Sequence, residues 1–354
     1  VALSARNLSD AGAAPPTGGP RGPRGKKGPG SLLRKLGVPA VLLGQLLVTF
    51  PLVLFLLPVW FLPLRPAILL ARFYAHVVCT LWPSARRVAM INLRRAYGEA
   101  MTYDEAARIT RSVFCNLGQS LAEGLQFARR SGAGRSGGDY LSLIEDQSLT
   151  NRILQDPRPK IYVTGHIGSW EVAMMAAGRK GGTGSGAIIR RVDNPFVNWL
   201  VRRVRLDTGS QWIEKKGAVR ECLARLQEGH SIAMLLDENG YRHGPFVEFF
   251  GRPAATQKTA ALLALETGAL VVVGGVVRSS IARRLRSRLV LIDPTSYSEK
   301  PSAIVEITQE ITRVFEGWIR EDPSQWCWIH WRWKHRPDGS IETYTRSDLR
   351  RCFS

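Results

Sequence analysis

The chain has 354 residues, with 49 Lys and Arg against 29 Asp and Glu and a formal charge of +20. That length allows one large domain or two small ones, and that charge implies an anionic partner: nucleic acid, an anionic membrane surface or a phosphorylated substrate. The five cysteines (Cys79, Cys115, Cys222, Cys327 and Cys352) are odd in number, far apart and without a CxxC pair. This argues against a disulfide framework or a zinc site and points to reduced thiols facing the cytoplasm.

Residues 1–31 read as a disordered basic tail, dominated by Gly and Pro and punctuated by Arg21, Arg24, Lys26 and Lys27. Gly37 to Leu64 then runs for 28 residues without a charge. That exceeds the roughly 20 residues a helix needs to cross a bilayer, so residues 32–82 read as a membrane-anchoring helical segment. Pro39, Pro51, Pro58 and Pro63 interrupt the run, and both flanks are basic (Arg34 and Lys35 before, Arg65 and Arg72 after). A kinked span and a re-entrant hairpin both fit, and the two-sided charge leaves orientation open.

From Pro83 the pattern becomes that of a soluble domain. Thr102 and Glu105 form a capping box, and Ala106, Ile109, Val113 and Leu117 recur at helical spacing to about Arg130. A Gly/Ser/Arg stretch, 131–138, breaks that helix. Strands are predicted at 161–164, 187–189, 231–236, 270–277 and 287–292. Helices are predicted from Asn194-Pro195 onward and at 217–228, 256–267 and 303–320. Alternating strands and helices give an α/β fold with a largely parallel sheet flanked by helices, over about residues 83–340, and a short tail at 341–354. Gly182–Ala187 is only faintly like a dinucleotide loop and precedes a strand, so it reads as a flexible loop. Arg283, Arg284, Arg286 and Arg288 surround an expected hairpin and read as an exposed loop near anionic headgroups.

The chemistry concentrates in Gly165-His166-Ile167-Gly168-Ser169-Trp170-Glu171, which follows a strand and opens a helix. Ligands bind at such strand ends. An imidazole there can take the proton of an attacking alcohol, and a carboxylate on its other nitrogen fixes the tautomer. The spacing lets His166 and Glu171 converge across the turn. The absence of a G-x-S-x-G elbow argues against a serine hydrolase, and His330 and His335 lack ligand-like companions, so no metal is expected. Trp326, Trp328, Trp331 and Trp333 suit either an interfacial belt or a packed strand face.

This motif resembles the signature of the lipid A biosynthesis acyltransferases, the lauroyl- and myristoyl-transferring group within the lysophospholipid acyltransferase-like superfamily. The likeness extends through Met90-Ile91-Asn92-Leu93, Arg190-Arg191-Val192-Asp193-Asn194-Pro195, Asp237-Glu238-Asn239-Gly240, the block from Phe246 to Thr256, and Trp328-Ile329-His330-Trp331-Arg332-Trp333-Lys334. Order and spacing hold from about residue 35 to 337. The resemblance implies His166 as general base with Glu171 as its partner. It implies Gly168, Arg190, Asp193, Asn194 and Asp237 at the substrates, with Asp237 as a second carboxylate near the histidine in some relatives. Asn239 departs from the pattern, since relatives often carry an acid there, and this leaves open whether Asp237 or Glu171 is the more important orienting group. The implied enzyme needs no cofactor. It takes an acyl-carrier-protein or acyl-CoA thioester and an anionic glycolipid acceptor, and works on the cytoplasmic side of a bacterial inner membrane without binding nucleic acid. Another glycolipid or amino-lipid acceptor, or a non-catalytic lipid-binding role, are the alternatives.

Overall fold

The computed structural model describes residues 43–46, 49–50, 53–132, 146–180, 184–189, 191–206, 211–215, 217–241, 244–278, 285–297 and 302–354. The tail expected over 1–31 lies outside the described residues, as do Arg190, Arg283 and Arg284. Residues 1–52 and 53–354 form two separate compact units. In the first, residues 43–46 and 49–50 are helical, and the Thr49 hydroxyl donates to the Gln45 carbonyl at 2.7 Å.

The second unit begins with a helical stretch at 53–61. Its trailing carbonyls at Val59, Trp60 and Leu62 all accept from the buried Gln126 amide, so the orphan acceptors of a helix end are satisfied. Pro63 then starts helix α1 (Leu64–Leu81). Among the described residues α1 is the one helix long and apolar enough to cross a bilayer. It starts at the last residue of the uncharged run and follows Pro63, which lacks the N–H that a helix continuing from 53–61 would use. One stripe of α1 is small and buried: Ala67, Ala71, Ala75 and Cys79. It packs on α3 (Tyr103–Gly132) at Gly118, where a Cβ would run into the Ala71 carbonyl. The opposite stripe leaves Leu69, Phe73 and Leu81 more than 60% exposed. Helix α1 and the elements that follow it belong to the same compact unit, 53–354.

Between them α2 (Pro83–Tyr97) carries Asn92, whose buried amide donates to the carbonyls of Trp328 and His330. The chain continues through α4 (Gln147–Gln155), β1 (Lys160–Thr164), α5 (Trp170–Lys180), β2 (Gly186–Ile189), α6 (Pro195–Leu206), β3 (Gln211–Glu214), α7 (Ala218–Gln227) and β4 (Ile232–Leu235). A separate hairpin, β5 (Phe246–Phe249) and β6 (Arg252–Ala255), precedes α8 (Thr259–Thr267), β7 (Leu270–Arg278), β8 (Leu285–Ile292) and α9 (Ser302–Glu321). The C-terminal stretch 341–354 carries α10 (Arg346–Phe353), which has a capping box from Thr345 to Asp348 and packs on α2 through Leu349 and Cys352.

The six-stranded sheet has the order β3-β2-β4-β1-β7-β8, parallel throughout except at β7–β8. Period-two alternation puts Ile161, Val163, Val271 and Val273 on one face with Ile307, Ile311 and Phe315 of α9. Tyr162, Leu270 and Val272 face the other way, toward Ile153 of α4. Strands covered on both faces read as continuous apolar runs, which is why β7 is legible as Leu270–Val273.

Candidate functional site

Strands β1 and β4 are parallel neighbours with Thr164 opposite Leu235. Their outgoing loops therefore leave the sheet side by side and bring His166 against Asp237, 71 positions later. Asp237 is 4% exposed. One carboxylate oxygen meets His166 Nδ1 at 2.9 Å; the other accepts the His166 backbone N–H at 2.7 Å and the Trp326 indole N–H at 2.8 Å. The second partner fixes the carboxylate from behind, so the imidazole is oriented by a rigid acid.

The same contacts set the charges. Burial alone disfavours a charged imidazole, but the adjacent Asp237 carboxylate outweighs it and raises the His166 pKa from 6.5 to about 9. Burial likewise disfavours the Asp237 anion, and the imidazolium together with the donated hydrogen bonds outweighs that and holds its pKa well below the usual carboxylate range. His330, half-buried beside this pair with its ring edge-on to Trp326 at 5.0 Å, is pushed down to about 3, chiefly by desolvation of the ring.

His166 opens onto a cleft of about 570 Å³. Trp170, Met174, Met175, Ile188 and Leu235 make its apolar wall, and Glu171, Lys215, Glu238 and Tyr241 its polar part. Volume and lining suit a lipid-sized ligand with a polar end. Among the described residues no group of three or more His, Cys, Asp or Glu side chains could hold a metal.

Residues 38–335 match the model of the bacterial lipid A biosynthesis acyltransferase family. The chain belongs to that family. It is also 28% identical, over 164 residues, to the lipid A biosynthesis lauroyltransferase of Escherichia coli (strain K12); the match covers 44% of this chain and 51% of that relative. The chain thus spans about half the length of the curated relative it matches.

Within this acyltransferase fold the residues singled out from sequence separate into distinct places. Glu171 sits in the first turn of α5 and lines the cleft with His166, but the carboxylate bonded to Nδ1 is that of Asp237. Asp237, expected at the substrates, lies behind the histidine and is not among the residues lining the cleft. Gly168 has φ +57° and lies so close to β7 that a Cβ would run into the Val276 carbonyl. Its N–H is committed to the Gln325 carbonyl at 2.8 Å, so it shapes the turn. Asn194 caps α6 by accepting from the N–H groups of Phe196 and Val197 at 3.0 and 3.1 Å. Asp193 is exposed, and neither residue lines the cleft.

The sequence does not single out Lys215, which lines the cleft, or the bond from Trp326 to Asp237. Lys215 follows the short strand β3, which carries no alternation strong enough to announce it. Trp326 belongs to a cluster whose open alternative the structure resolves: Trp326, Trp328 and Trp333 are at most 1% exposed, whereas Trp331 is 47% exposed and stacks on Tyr344. The buried three pack in the core without forming a strand. A Trp326→Phe variant leaves an Asp237 oxygen one donor short. Hydrogen bonds to charged groups contribute roughly 1.5–3 kcal/mol, so unfolding in denaturant should show a loss of about that size. The carboxylate, made more basic, should hold the His166 proton more tightly, moving the pH–rate limb upward.

Proposed function

We propose that this chain is an O-acyltransferase that moves a fatty acyl group from a thioester to a lipid hydroxyl, with His166 as general base. The observation that carries the reading is an imidazole at the mouth of a lipid-sized cleft whose Nδ1 is tied to a buried carboxylate, leaving Nε2 for chemistry. Nε2 takes the acceptor's proton as its oxygen attacks the thioester carbonyl carbon. The tetrahedral intermediate collapses with cleavage of the C–S bond, and the departing thiolate recovers the proton from the imidazolium. No enzyme nucleophile is required, because a thiolate is already a good leaving group.

Family membership supports a lipid A precursor as acceptor and an acyl-carrier-protein or acyl-CoA thioester as donor. The Gly168 and Ser169 N–H groups are both taken, by the carbonyls of Gln325 and Val276. We assign Lys215, in the polar part of the cleft, to the developing oxyanion or an anionic group of the acceptor. The exposed face of α1, with Leu69, Phe73 and Leu81, supports attachment to a membrane, and the charge of +20 suits an anionic surface. We place the enzyme at the bacterial inner membrane with its cleft toward the cytoplasm, where thioester donors are made.

The test is to incubate the purified protein with acyl-carrier-protein and CoA thioesters of mixed chain length and a lipid A precursor. The expected product is the acceptor heavier by one acyl group, formed with release of free thiol. Thiol release with free fatty acid and no heavier lipid would overturn the transfer reading.

A further inference from the structure

Behind the catalytic turn lies a polar chain whose side chains, Gln325, Arg278 and Glu123, are not among the described residues lining the cleft. The turn is clamped from two sides. On one side the Ser169 N–H donates to the Val276 carbonyl of β7 at 2.7 Å. On the other the Gly168 N–H donates to the Gln325 carbonyl at 2.8 Å, and the Cys327 N–H donates to the His166 carbonyl at 3.1 Å. The two clamps are joined by the Gln325 side chain. Its oxygen accepts the Arg278 N–H at 2.8 Å, and its nitrogen donates to the Arg278 carbonyl at 3.1 Å and to Asp322 at 2.8 Å. Arg278, at the end of β7, then reaches Glu123 on α3 as a two-pronged pair, Nε to Oε1 at 3.1 Å and Nη2 to Oε2 at 2.6 Å. Both side chains are nearly sealed, at 10% and 3% exposure. Gln119 adds a donor to Glu123 at 2.9 Å and accepts from Arg72 of α1 at 3.0 Å.

A buried ion pair is a poor source of net stability, since desolvating two charges offsets most of their attraction, and well-packed neutral replacements are often as stable. What this pair holds is more informative: α3, the end of β7 and the segment that supports Gly168 and His166. We infer that Glu123, Arg278 and Gln325 are positioning residues, which fix the His166 turn against Asp237 so that Nε2 meets the acceptor hydroxyl at reactive distance. The inference rests on the acyl-transfer reading for its kinetic readout alone.

The test is the neutral double variant Glu123→Gln/Arg278→Met, which removes both charges and conserves bulk. It avoids the unpaired buried charge that a single variant would leave. Thermal melting should show it folded like the parent chain. Misplacement of a reacting group by about 1 Å lowers rates roughly 10²-fold, so kcat should fall about tenfold to 10²-fold while KM for donor and acceptor stays put. A second readout needs no substrate. The Nδ1 proton of His166, held toward Asp237, should give a downfield NMR resonance in the parent chain that broadens into solvent exchange in the variant. Unchanged kcat together with an unchanged His166 resonance would overturn the positioning role. A parent chain that shows the resonance but transfers no acyl group would count against the proposed activity while leaving the resonance comparison decisive for the network.

Discussion

Replacing His166 with alanine is expected to slow acyl transfer by roughly 10²–10⁴-fold, the contribution of a positioned general base, in a protein that still folds. The folding half of this expectation follows from what remains around Asp237. Removing the imidazole takes one partner from the carboxylate, but the backbone N–H of residue 166 and the Trp326 indole still donate to it. The side chain removed is 24% exposed, at the edge of the cleft, so the deletion opens onto solvent and leaves no sealed cavity. The variant should also report on charge. A histidine whose pKa rises from 6.5 to about 9 on folding adds stability that is fully present below 6.5 and is lost as pH rises through about 9. The stability gap between the parent chain and His166→Ala should therefore be widest near pH 6 and close above pH 9. Denaturant titrations at several pH values measure the gap, and thiol release measures the rate. A variant that retains near-parental turnover would remove His166 from the mechanism.

The parts of this molecule that were legible in sequence are those specified locally. Buried parallel strands announce themselves as apolar runs, as in Ile161–Thr164 and Leu270–Val277. Amphipathic helices announce themselves by spacing, as in Ala106, Ile109, Val113 and Leu117 of α3. The turn bearing His166 was visible because glycines flank it between a strand and a helix. The β5–β6 hairpin was not read as one. Its two-residue turn is Phe250-Gly251, with φ of +54° and +67°, and lacks the Asn-Gly or Asp-Gly pair that marks such turns. Tertiary contacts hold Phe250 there: its N–H donates to Glu316 at 2.7 Å and its ring packs on Trp328. The final helix α10 carries little apolar signal, being eight residues rich in arginine, and its partners lie on α2.

The choice of carboxylate is the sharpest case of information that only the fold contains. Proximity in sequence favours Glu171, five residues from His166. Sheet order favours Asp237, because β4 is inserted beside β1 and its loop emerges against the same imidazole. Likewise, no local pattern could join Gln325 to Arg278 or Arg278 to Glu123, which lie on three different elements. Local periodicity thus located His166, and strand order supplied the carboxylate bonded to it and the residues packed behind it.

Replacing Asp237 with asparagine is expected to lower kcat by about 10²–10⁴-fold, comparable to losing the base itself. The reason is the hydrogen-bond inventory of one carboxylate. One oxygen accepts two donors, the His166 backbone N–H and the Trp326 indole, so the asparagine oxygen must occupy that position. The amide nitrogen is then forced against His166 Nδ1, where it can only donate. That selects the tautomer with its proton on Nε2, which cannot accept a proton from an alcohol. The pH profile carries a second signature. With Asp237 in place, the ring's pKa is raised and most rings are protonated at pH 7. The parent kcat/KM should thus climb with pH to a limb near 9. The kcat limb should lie lower, because an acyl chain filling the cleft deepens the burial that disfavours the charged ring. In Asp237→Asn the residual activity should show its kcat/KM limb shifted down, since the largest charge holding the proton is gone. Glu171→Gln serves as the counterpart. Glu171 also favours the charged ring, but less than Asp237 does, so its loss should lower turnover with a smaller movement of the limb. If Glu171→Gln moved the limb and Asp237→Asn left it in place, Glu171 would be the orienting acid and the buried Asp237 a support for the turn alone.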